Sequence, residues 1–357
     1  MIKTFSNSLA NPLFNPKKLG YIILYVTNRC NFRCDFCFYY AEIDKGRKPT
    51  ELSLEEIDKI TKSAGRLVQL SMTGGEPFIR KDFAELTDIA LTNTRSKYVT
   101  IPTNAYLTEN IYEYLIKILP KHPKSYFGLA ISVDGIGEEH DKNRSKPGSY
   151  QKIKETFAKI KDLRDIYPNL VIDSNTVFTA NTQGRMLDIL RELHSEFEFD
   201  NHTVTYARGD IRDPELVVNA KKEYEEMNKF LTSLSHKSEK RLLYPIYRGV
   251  RNVAWQNLMS TAFYDKFVTP CVAGRKMCVI SEEGYVKPCE LLSHNYGNLR
   301  DFNYDIKALL DNQEAQKSRN WIKKTKCKCT FECALAANVT WNKRQYPRVL
   351  LSALKNI

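Results

Sequence analysis

The chain has 357 residues, of which 42% are hydrophobic, 27% charged and 11% aromatic, and its formal net charge is +12. This composition excludes a disordered or fibrous protein, and no apolar run is long enough to predict a transmembrane helix. The N-terminal segment lacks the apolar core of a secretory signal, so we expect a cytoplasmic protein. Lysines and glutamates are interleaved, which indicates a solvated surface, and the excess positive charge would favour an anionic substrate.

Segments of strand character alternate with segments of helical period over the first part of the chain. The predicted strands span 21–27, 68–73, 98–103, 127–134, 170–179 and 202–207, and the predicted helices lie at 52–67 and near 81–93, 108–119, 149–164 and 184–195. Such alternation is typical of a parallel sheet with right-handed crossovers, and six units are fewer than a closed barrel needs. We therefore predict an α/β protein: a partial (β/α)6 TIM-type barrel with a smaller C-terminal cysteine-rich α+β domain.

Three of the nine cysteines lie in one loop, "TNRCNFRCDFCFYY", directly after the first predicted strand. Cys30, Cys34 and Cys37 have the spacing C-x3-C-x2-C. In a reducing compartment clustered cysteines are more often metal ligands than disulfides, and nine cysteines fit complete pairing poorly. Three thiolates can hold three irons of a four-iron cluster and leave the fourth iron open to a small molecule. Zinc is the weaker alternative, because no further cysteine or histidine lies between residues 41 and 72.

This loop, with Phe36 in an aromatic position before its last cysteine, resembles the signature of the radical S-adenosylmethionine (radical SAM) superfamily. The resemblance implies a 4Fe-4S cluster whose open iron chelates S-adenosylmethionine. It implies reductive cleavage of the sulfonium to a 5'-deoxyadenosyl radical, which takes hydrogen from a substrate. The protein would then be an oxidoreductase-like enzyme supplied by an electron donor such as flavodoxin or ferredoxin.

Other residues near the predicted strand ends match positions that this family uses for its cofactor. "MTGGEP" resembles the family's GGE motif: Gly74 and Gly75 would let backbone approach a ligand, and Glu76 would accept from the cofactor's ammonium group. Without the family, the same letters describe an ordinary turn. The remaining cofactor candidates, which could otherwise be strand-end, turn or solvated loop residues, are Asn104, Ser132, Asp134 and Arg144.

The other six cysteines all follow residue 270. "CVISEEGYVKPCE" predicts a hairpin with cysteines at its open ends. The spacing of Cys271, Gly284 and Cys289, together with "GNLRDF" at 297–302, resembles the SPASM extension, which carries auxiliary iron–sulfur clusters. The final run, "CKCTFEC", is shorter than that of the full two-cluster module, so the resemblance implies one auxiliary 4Fe-4S cluster.

The predicted ligands of this auxiliary cluster are Cys271, Cys278, Cys289 and one of the last three cysteines, with Cys333 favoured over Cys327 and Cys329. One of the last three could instead be a reactive thiol, and a zinc-bound subdomain is the alternative for the whole region. The predicted organisation is an N-terminal extension (1–18), a radical SAM core (19–235), a helical linker (236–264), a SPASM-like domain (265–341) and a tail (342–357).

The substrate class is the least determined part of the prediction. We expect oxidation or rearrangement of a small phosphorylated, sugar or nucleotide metabolite. Peptide modification is an alternative, weakened because only about twenty residues precede the first strand and such enzymes often begin with a leader-peptide domain. A noncatalytic iron–sulfur or zinc protein is the alternative of another class. No nucleic-acid partner is expected. Tyr206, Arg208 and Asp210 are the substrate candidates, although a loop salt bridge would account for them equally well.

Overall fold

The computed structural model describes residue 15 and residues 18–45, 50–234 and 244–354. Most of the predicted N-terminal extension, residues 46–49 and 235 of the predicted core, residues 236–243 of the predicted linker and the last three residues of the predicted tail lie outside the described residues. None of the described helices is both long and apolar enough to cross a membrane.

One eight-stranded sheet, in the order β6-β5-β4-β3-β2-β1-β7-β8, organises the described chain. The strands are β1 (Tyr21–Thr27), β2 (Gln69–Gly74), β3 (Tyr98–Thr103), β4 (Tyr126–Ser132), β5 (Leu170–Phe178), β6 (Asn201–Tyr206), β7 (Met277–Ile280) and β8 (Val286–Lys287). Strands β1 to β6 pair in parallel with their neighbours in sequence. The α/β prediction of a six-stranded partial barrel is therefore confirmed.

Helices connect the parallel strands, and those predicted from the sequence begin within two residues of their predicted starts. The α-helices are α1 (Tyr40–Asp44), α2 (Leu54–Ala64), α3 (Phe83–Thr94), α4 (Thr108–Ile118), α5 (Glu138–Asn143), α6 (Ser149–Ile160), α7 (Leu163–Ile166), α8 (Met186–Glu196), α9 (Lys221–Ser233), α10 (Tyr244–Tyr264), α11 (Ile306–Leu310), α12 (Gln313–Lys324), α13 (Glu332–Thr340) and α14 (Tyr346–Leu354). Helix α2 begins with the expected capping box, in which Ser53 and Glu56 each satisfy the other's backbone N–H.

The predicted cysteine-rich hairpin does not form a sheet of its own. Strand β7 pairs in parallel with β1, and β8 pairs antiparallel with β7. The hairpin thereby covers the backbone edge of β1 that β2 leaves open, and a strand edge without such pairing carries unsatisfied N–H and C=O groups. The described C-terminal segment is thus continuous with the barrel sheet, while the exact domain boundaries stay a prediction.

The "GNLRDF" segment fastens the C-terminal region to helix α2. The Arg300 guanidinium donates to both carboxylate oxygens of Glu56, at 2.6 and 3.2 Å, and to the backbone oxygen of Glu283 at 2.9 Å. The Tyr304 hydroxyl also donates to Glu56, at 3.1 Å. Partial burial alone would raise the pKa of Glu56, but these hydrogen bonds and the Arg300 charge lower it to about 2.

Replacement of Arg300 by alanine is expected to lower the free energy of unfolding by about 1–3 kcal/mol, because it removes the charged donor of Glu56 and leaves that carboxylate only the neutral donors of Tyr304 and Ser53. This stabilisation is complete above the ordinary Glu56 pKa of 4.5 and disappears as the pH falls towards 2. Urea unfolding at pH 7 and pH 3 would measure it. The control is Arg191→Ala, which removes an exposed pair with Asp188. Equal effects of the two substitutions would contradict the assignment.

Candidate active site

The cysteine loop follows β1 at the carboxyl edge of the parallel strands. Cys34 is buried, while Cys30 and Cys37 are partly exposed. Two buried aromatic side chains, Phe32 and Phe36, lie between the cysteines and anchor the loop to the barrel. The Phe32 N–H donates to the sulfur of Cys30 at 3.4 Å, and the Cys37 N–H donates to the carbonyl of Cys34 at 3.2 Å. The loop therefore presents its three sulfurs from a packed base.

The three thiols interact electrostatically with one another, which places them in one cluster. Burial raises the pKa of Cys30 to about 12 and that of Cys34 to about 11, and it also raises the pKa of Cys37. Among the residues that the structure describes, no three His, Cys, Asp or Glu side chains form a site for a single metal ion. A donor set of three thiols on one loop fits a four-iron cluster, whose ligands are spread over separate irons.

The two glycines of "MTGGEP" hold β2 against the cysteine loop. Gly74 has φ of +147°, and a Cβ there would lie 2.1 Å from the Thr27 carbonyl oxygen. A Cβ on Gly75 would lie 2.1 Å from the carbonyl oxygen of Arg29 and 3.0 Å from the Cβ of Cys30. The space beside both glycines is filled by the backbone that leads to and carries the first cysteine, and their predicted approach to a cofactor stays a prediction.

Gly75→Ala is expected to displace the loop at Cys30 and to reduce the iron bound after anaerobic reconstitution to half or less of the value for the unchanged chain. The added methyl group has no space that a flexible side chain could vacate, because the nearest atom is backbone oxygen. Iron analysis of the purified variant would measure the loss. Gly128→Ala is the matched control, since a Cβ there meets its nearest atom at 3.7 Å. Full iron binding by Gly75→Ala would contradict the packing role.

Glu76 is buried directly beside this loop. Its carboxylate accepts from the Asn104 backbone N–H at 2.8 Å, from the Thr103 hydroxyl at 2.9 Å and from the Phe78 N–H at 3.3 Å. Burial raises the pKa of Glu76 to about 7, although these hydrogen bonds oppose the shift. The Asn104 side chain donates to Asn31 in the cysteine loop at 2.8 Å. The buried Asn31 amide nitrogen has no hydrogen-bond partner of its own, so this corner retains a free donor.

Asp134 and Arg144 form a buried ion pair at the same edge. The other Asp134 oxygen accepts from the Val177 N–H at 2.6 Å. The Arg144 guanidinium lies over the Phe36 ring, 5.1 Å from its centroid, and one of its nitrogens is 3.9 Å from the Cys34 sulfur. Arg144, a predicted cofactor-binding residue, therefore pairs with Asp134 in this structure, and its contact with a cofactor stays a prediction. Ser132 is buried at the end of β4, close to this pair in sequence.

His140 belongs to this arrangement and was not predicted. Its Nδ1 accepts from the Asp134 N–H at 3.0 Å, and its Nε2 has no hydrogen-bond partner. Burial and the charge of Arg144 lower the pKa of His140 to about 3. A neutral ring beside Arg144 avoids a second buried positive charge. The only signal in the sequence was its place four residues before Arg144 on a short helix, α5.

Four of the C-terminal cysteines come together. Cys289 interacts electrostatically with Cys271 and Cys327, and Cys329 interacts with all three. Burial raises the pKa of Cys289 and Cys327 to about 11 and that of Cys329 to about 12. We call these four side chains the quartet. They pack in one cluster with the β1 residues that face away from the barrel helices.

The quartet contains Cys271, Cys289 and both alternatives that the prediction left open for the fourth ligand, and it lacks the predicted Cys278 and the favoured Cys333. Cys278 is fully buried in the apolar core between the sheet and the helices, and no other cysteine perturbs its pKa. Cys333 packs against the same hydrophobic cluster as the quartet, but it lies against the Tyr21 hydroxyl, near Glu290, Arg208 and Glu332. The structure brings Cys327 and Cys329 to Cys271 and Cys289 instead.

The three substrate candidates are separated. The Tyr206 ring packs on Tyr224, with centroids 4.5 Å apart, so it faces the helical layer. The Arg208 guanidinium pairs with Glu332 at 2.6 Å and lies 4.8 Å from the centroid of the Phe331 ring. Asp210 is exposed. Arg208 alone therefore stands between the cysteine loop and the C-terminal segment, where Glu332 was missed because its partner is 124 residues earlier in the chain.

Comparisons with known proteins agree with this geometry. Residues 24–198 match the family model described as "Radical SAM superfamily". A GTP 3',8-cyclase of Clostridium botulinum (strain Hall) is 27% identical over 306 residues, which cover 82% of this chain and 88% of that protein. The antilisterial bacteriocin subtilosin biosynthesis protein AlbA of Bacillus subtilis (strain 168) is 26% identical over 291 residues, covering 78% of this chain and 57% of that protein.

The fold is also shared with a solved structure, "Native anSMEcpe with bound AdoMet". The two superpose with a TM-score of 0.57 at 17% sequence identity, over 94% of this chain and 97% of the other.

Proposed function

Residues 24–198 make this chain a member of the radical SAM superfamily, and we propose that it abstracts hydrogen from a small phosphorylated, sugar or nucleotide metabolite with the help of one auxiliary iron–sulfur cluster. In this family's chemistry, a 4Fe-4S cluster and S-adenosylmethionine together supply a 5'-deoxyadenosyl radical. The observation that carries the proposal is the convergence of three thiols, Glu76 and the Asp134–Arg144 pair on one edge of the sheet.

Different residues at this edge would ligate the cluster, bind the cofactor and support the cysteine loop. Cys30, Cys34 and Cys37 would ligate the cluster. Glu76, buried and held by three donors, would accept from the cofactor's ammonium group, and a cation bound there would lower its raised pKa and keep it ionised. Arg144 would remain paired with Asp134 and support the loop at Cys34.

The quartet would hold the auxiliary cluster. Four thiols from two segments match the four ligands of a 4Fe-4S cluster, and none of the four is needed by the first site. An auxiliary cluster with four protein ligands has no iron left open for a substrate. It would therefore act as a store or relay of an electron, which suits a net oxidation.

A nucleotide or other phosphorylated substrate is supported by two observations. The chain shares 82% of its length with a relative whose name states that it acts on GTP. The net charge of +12 would raise the local concentration of an anionic substrate and its rate of association.

A peptide substrate is the second candidate, and the charges around Arg208 favour it. Arg208 pairs with Glu332 and is also close to Glu290. The region between the cysteine loop and the quartet therefore has two acidic side chains for one guanidinium. An acidic excess suits an amine or amide group better than a phosphate. The relative AlbA, named for bacteriocin biosynthesis, is consistent with this candidate.

The test is formation of 5'-deoxyadenosine by the anaerobically reconstituted protein with S-adenosylmethionine and a chemical reductant. The nucleotide proposal predicts that GTP stimulates the rate clearly above the substrate-free background. Stimulation only by a mixed synthetic peptide library would select the second candidate. If no 5'-deoxyadenosine forms under any condition, or if the purified protein holds zinc, the chain is a noncatalytic metal protein and the proposal fails.

A further inference from the structure

The segment that carries two quartet cysteines is strongly and locally basic. Between Glu314 and Glu332 the sequence "AQKSRNWIKKTKCKCTF" contains six lysines and arginines and no acidic residue. This block departs from the interleaved charge expected from the composition. Its last four lysines lie in the final turn of α12 and in the turn that follows.

These lysines are exposed, and they flank the quartet. Lys323, Lys324, Lys326 and Lys328 all lie at the surface, on either side of the partly exposed Cys327. Arg275 is exposed on another segment, next to Gly274, whose carbonyl accepts from Arg319 of α12 at 3.3 Å, so it lies near the same end of the quartet. We call these five side chains the lysine surface. Its positive charge comes from two separate parts of the chain that meet at the quartet.

Local structural roles account for only part of this charge. Lys323 and Lys324 lie in the last turn of α12, where cations offset the helix dipole. Lys328 pairs with Asp265. Neither role explains Lys326 or Arg275. Lys326 takes the left-handed conformation, with φ of +51°, immediately before Cys327. Trp321, one turn earlier, is 43% exposed and adds an apolar contact area beside the charges.

We propose that the lysine surface docks an acidic one-electron carrier protein next to the quartet. The inference rests on the proposed function, because it assumes that the quartet holds the auxiliary cluster. Charge complementarity selects an acidic partner, and an exposed aromatic within a basic patch is a typical centre for such an interface. The position selects a carrier, because electron exchange requires the partner to come close to the ligand cysteines, and Cys327 is the partly exposed thiol between two of the lysines.

The experiment measures binding of an acidic flavodoxin to the anaerobically reconstituted protein by titration calorimetry. At low ionic strength, the triple variant Lys323→Glu/Lys324→Glu/Lys326→Glu is expected to bind flavodoxin with a dissociation constant about tenfold higher or more. Salt at about 0.5 M is expected to weaken binding of the unchanged protein comparably, because exposed charges are screened. The matched control is Lys124→Glu/Lys161→Glu/Lys229→Glu, three exposed lysines of the barrel, with the same change in net charge. It is expected to change the constant by less than about threefold.

Equal weakening by both triple variants would mean that only net charge matters and would overturn the proposal. Binding of an RNA oligonucleotide or an acidic peptide to this surface without binding of flavodoxin would overturn it too. Iron analysis of the same samples distinguishes failure of the auxiliary-cluster proposal from failure of the docking proposal. About four irons per chain in the unchanged protein would show that the quartet is empty and that the auxiliary-cluster proposal has failed. About eight irons without localised flavodoxin binding would overturn the docking proposal alone.

Discussion

Anaerobic reconstitution with iron and sulfide is expected to load about eight irons per chain, and Cys30→Ala/Cys34→Ala/Cys37→Ala is expected to retain about four and to form no 5'-deoxyadenosine. The three thiols lie in one loop at the carboxyl edge of the sheet, and the quartet lies in a separate cluster. Removal of the first set therefore leaves the second intact. Iron analysis and the cofactor-cleavage assay on one preparation measure both expectations.

The same iron analysis also tests whether the quartet holds the auxiliary cluster. Cys271→Ala/Cys289→Ala/Cys327→Ala/Cys329→Ala is expected to retain about four irons and to cleave the cofactor. The control variants Cys278→Ala and Cys333→Ala remove the two cysteines that the structure leaves outside the quartet, and each is expected to keep about eight irons. A loss of four irons in Cys333→Ala would restore the ligand set predicted from the sequence and contradict the quartet.

Most of the barrel could be predicted because its signals are local. Strands such as "YIILYVT" and "YVTIPT" are continuous runs with β-branched and aromatic residues, and the structure gives them the predicted limits of Tyr21–Thr27 and Tyr98–Thr103. The cysteine motif and "GGEP" stand directly after strands, so the rim that joins them follows from parallel topology. The resemblance to the radical SAM superfamily, confirmed by the family model, rested on these same local motifs.

The sequence could not predict which C-terminal thiols come together, because this depends on which face of a strand each side chain takes. Cys278 lies opposite Ile22 of β1, and side chains alternate between the two faces of the sheet. This register turns Cys278 towards the helices, whereas Tyr21, Ile23 and the quartet lie on the other face. The sequence contains no trace of the pairing between β1 and β7, whose partners are about 256 residues apart, such as Tyr21 and Met277.

The direction of each side chain also explains why the substrate candidates Tyr206 and Arg208 lie in different surroundings. Tyr206 and Arg208 are two residues apart, but Tyr206 is the last residue of β6 and turns to the helical core, while Arg208 has left the strand. Arg208 then meets Glu332 at the start of α13. A partly buried ion pair between distant segments leaves no periodic signal, and spacing alone could not distinguish it from a solvated loop charge.

Glu76→Gln is expected to weaken binding of S-adenosylmethionine by about 30-fold or more, with the bound iron unchanged. Glutamine keeps one oxygen for the Thr103 hydroxyl and the Phe78 N–H, but it loses the second oxygen, which accepts from the Asn104 N–H, and the charge that an ammonium group would meet. A hydrogen bond to a charged group contributes about 1.5–3 kcal/mol, which corresponds to a factor of roughly 10 to 150. Calorimetric titration of the reconstituted protein would measure the change, and Glu109→Gln, at an exposed pair with Lys159, is the control.

The pH dependence distinguishes loss of this charge from a general disturbance of the site. Because burial raises the pKa of Glu76 to about 7, the carboxylate is largely protonated below that pH when the site is free. A cation binds the ionised form, so affinity for S-adenosylmethionine should rise from pH 6 to pH 8 in the unchanged protein. The same titration of Glu76→Gln should show little change over this range. A variant that keeps the full pH dependence would mean that another group titrates and that Glu76 does not meet the ammonium.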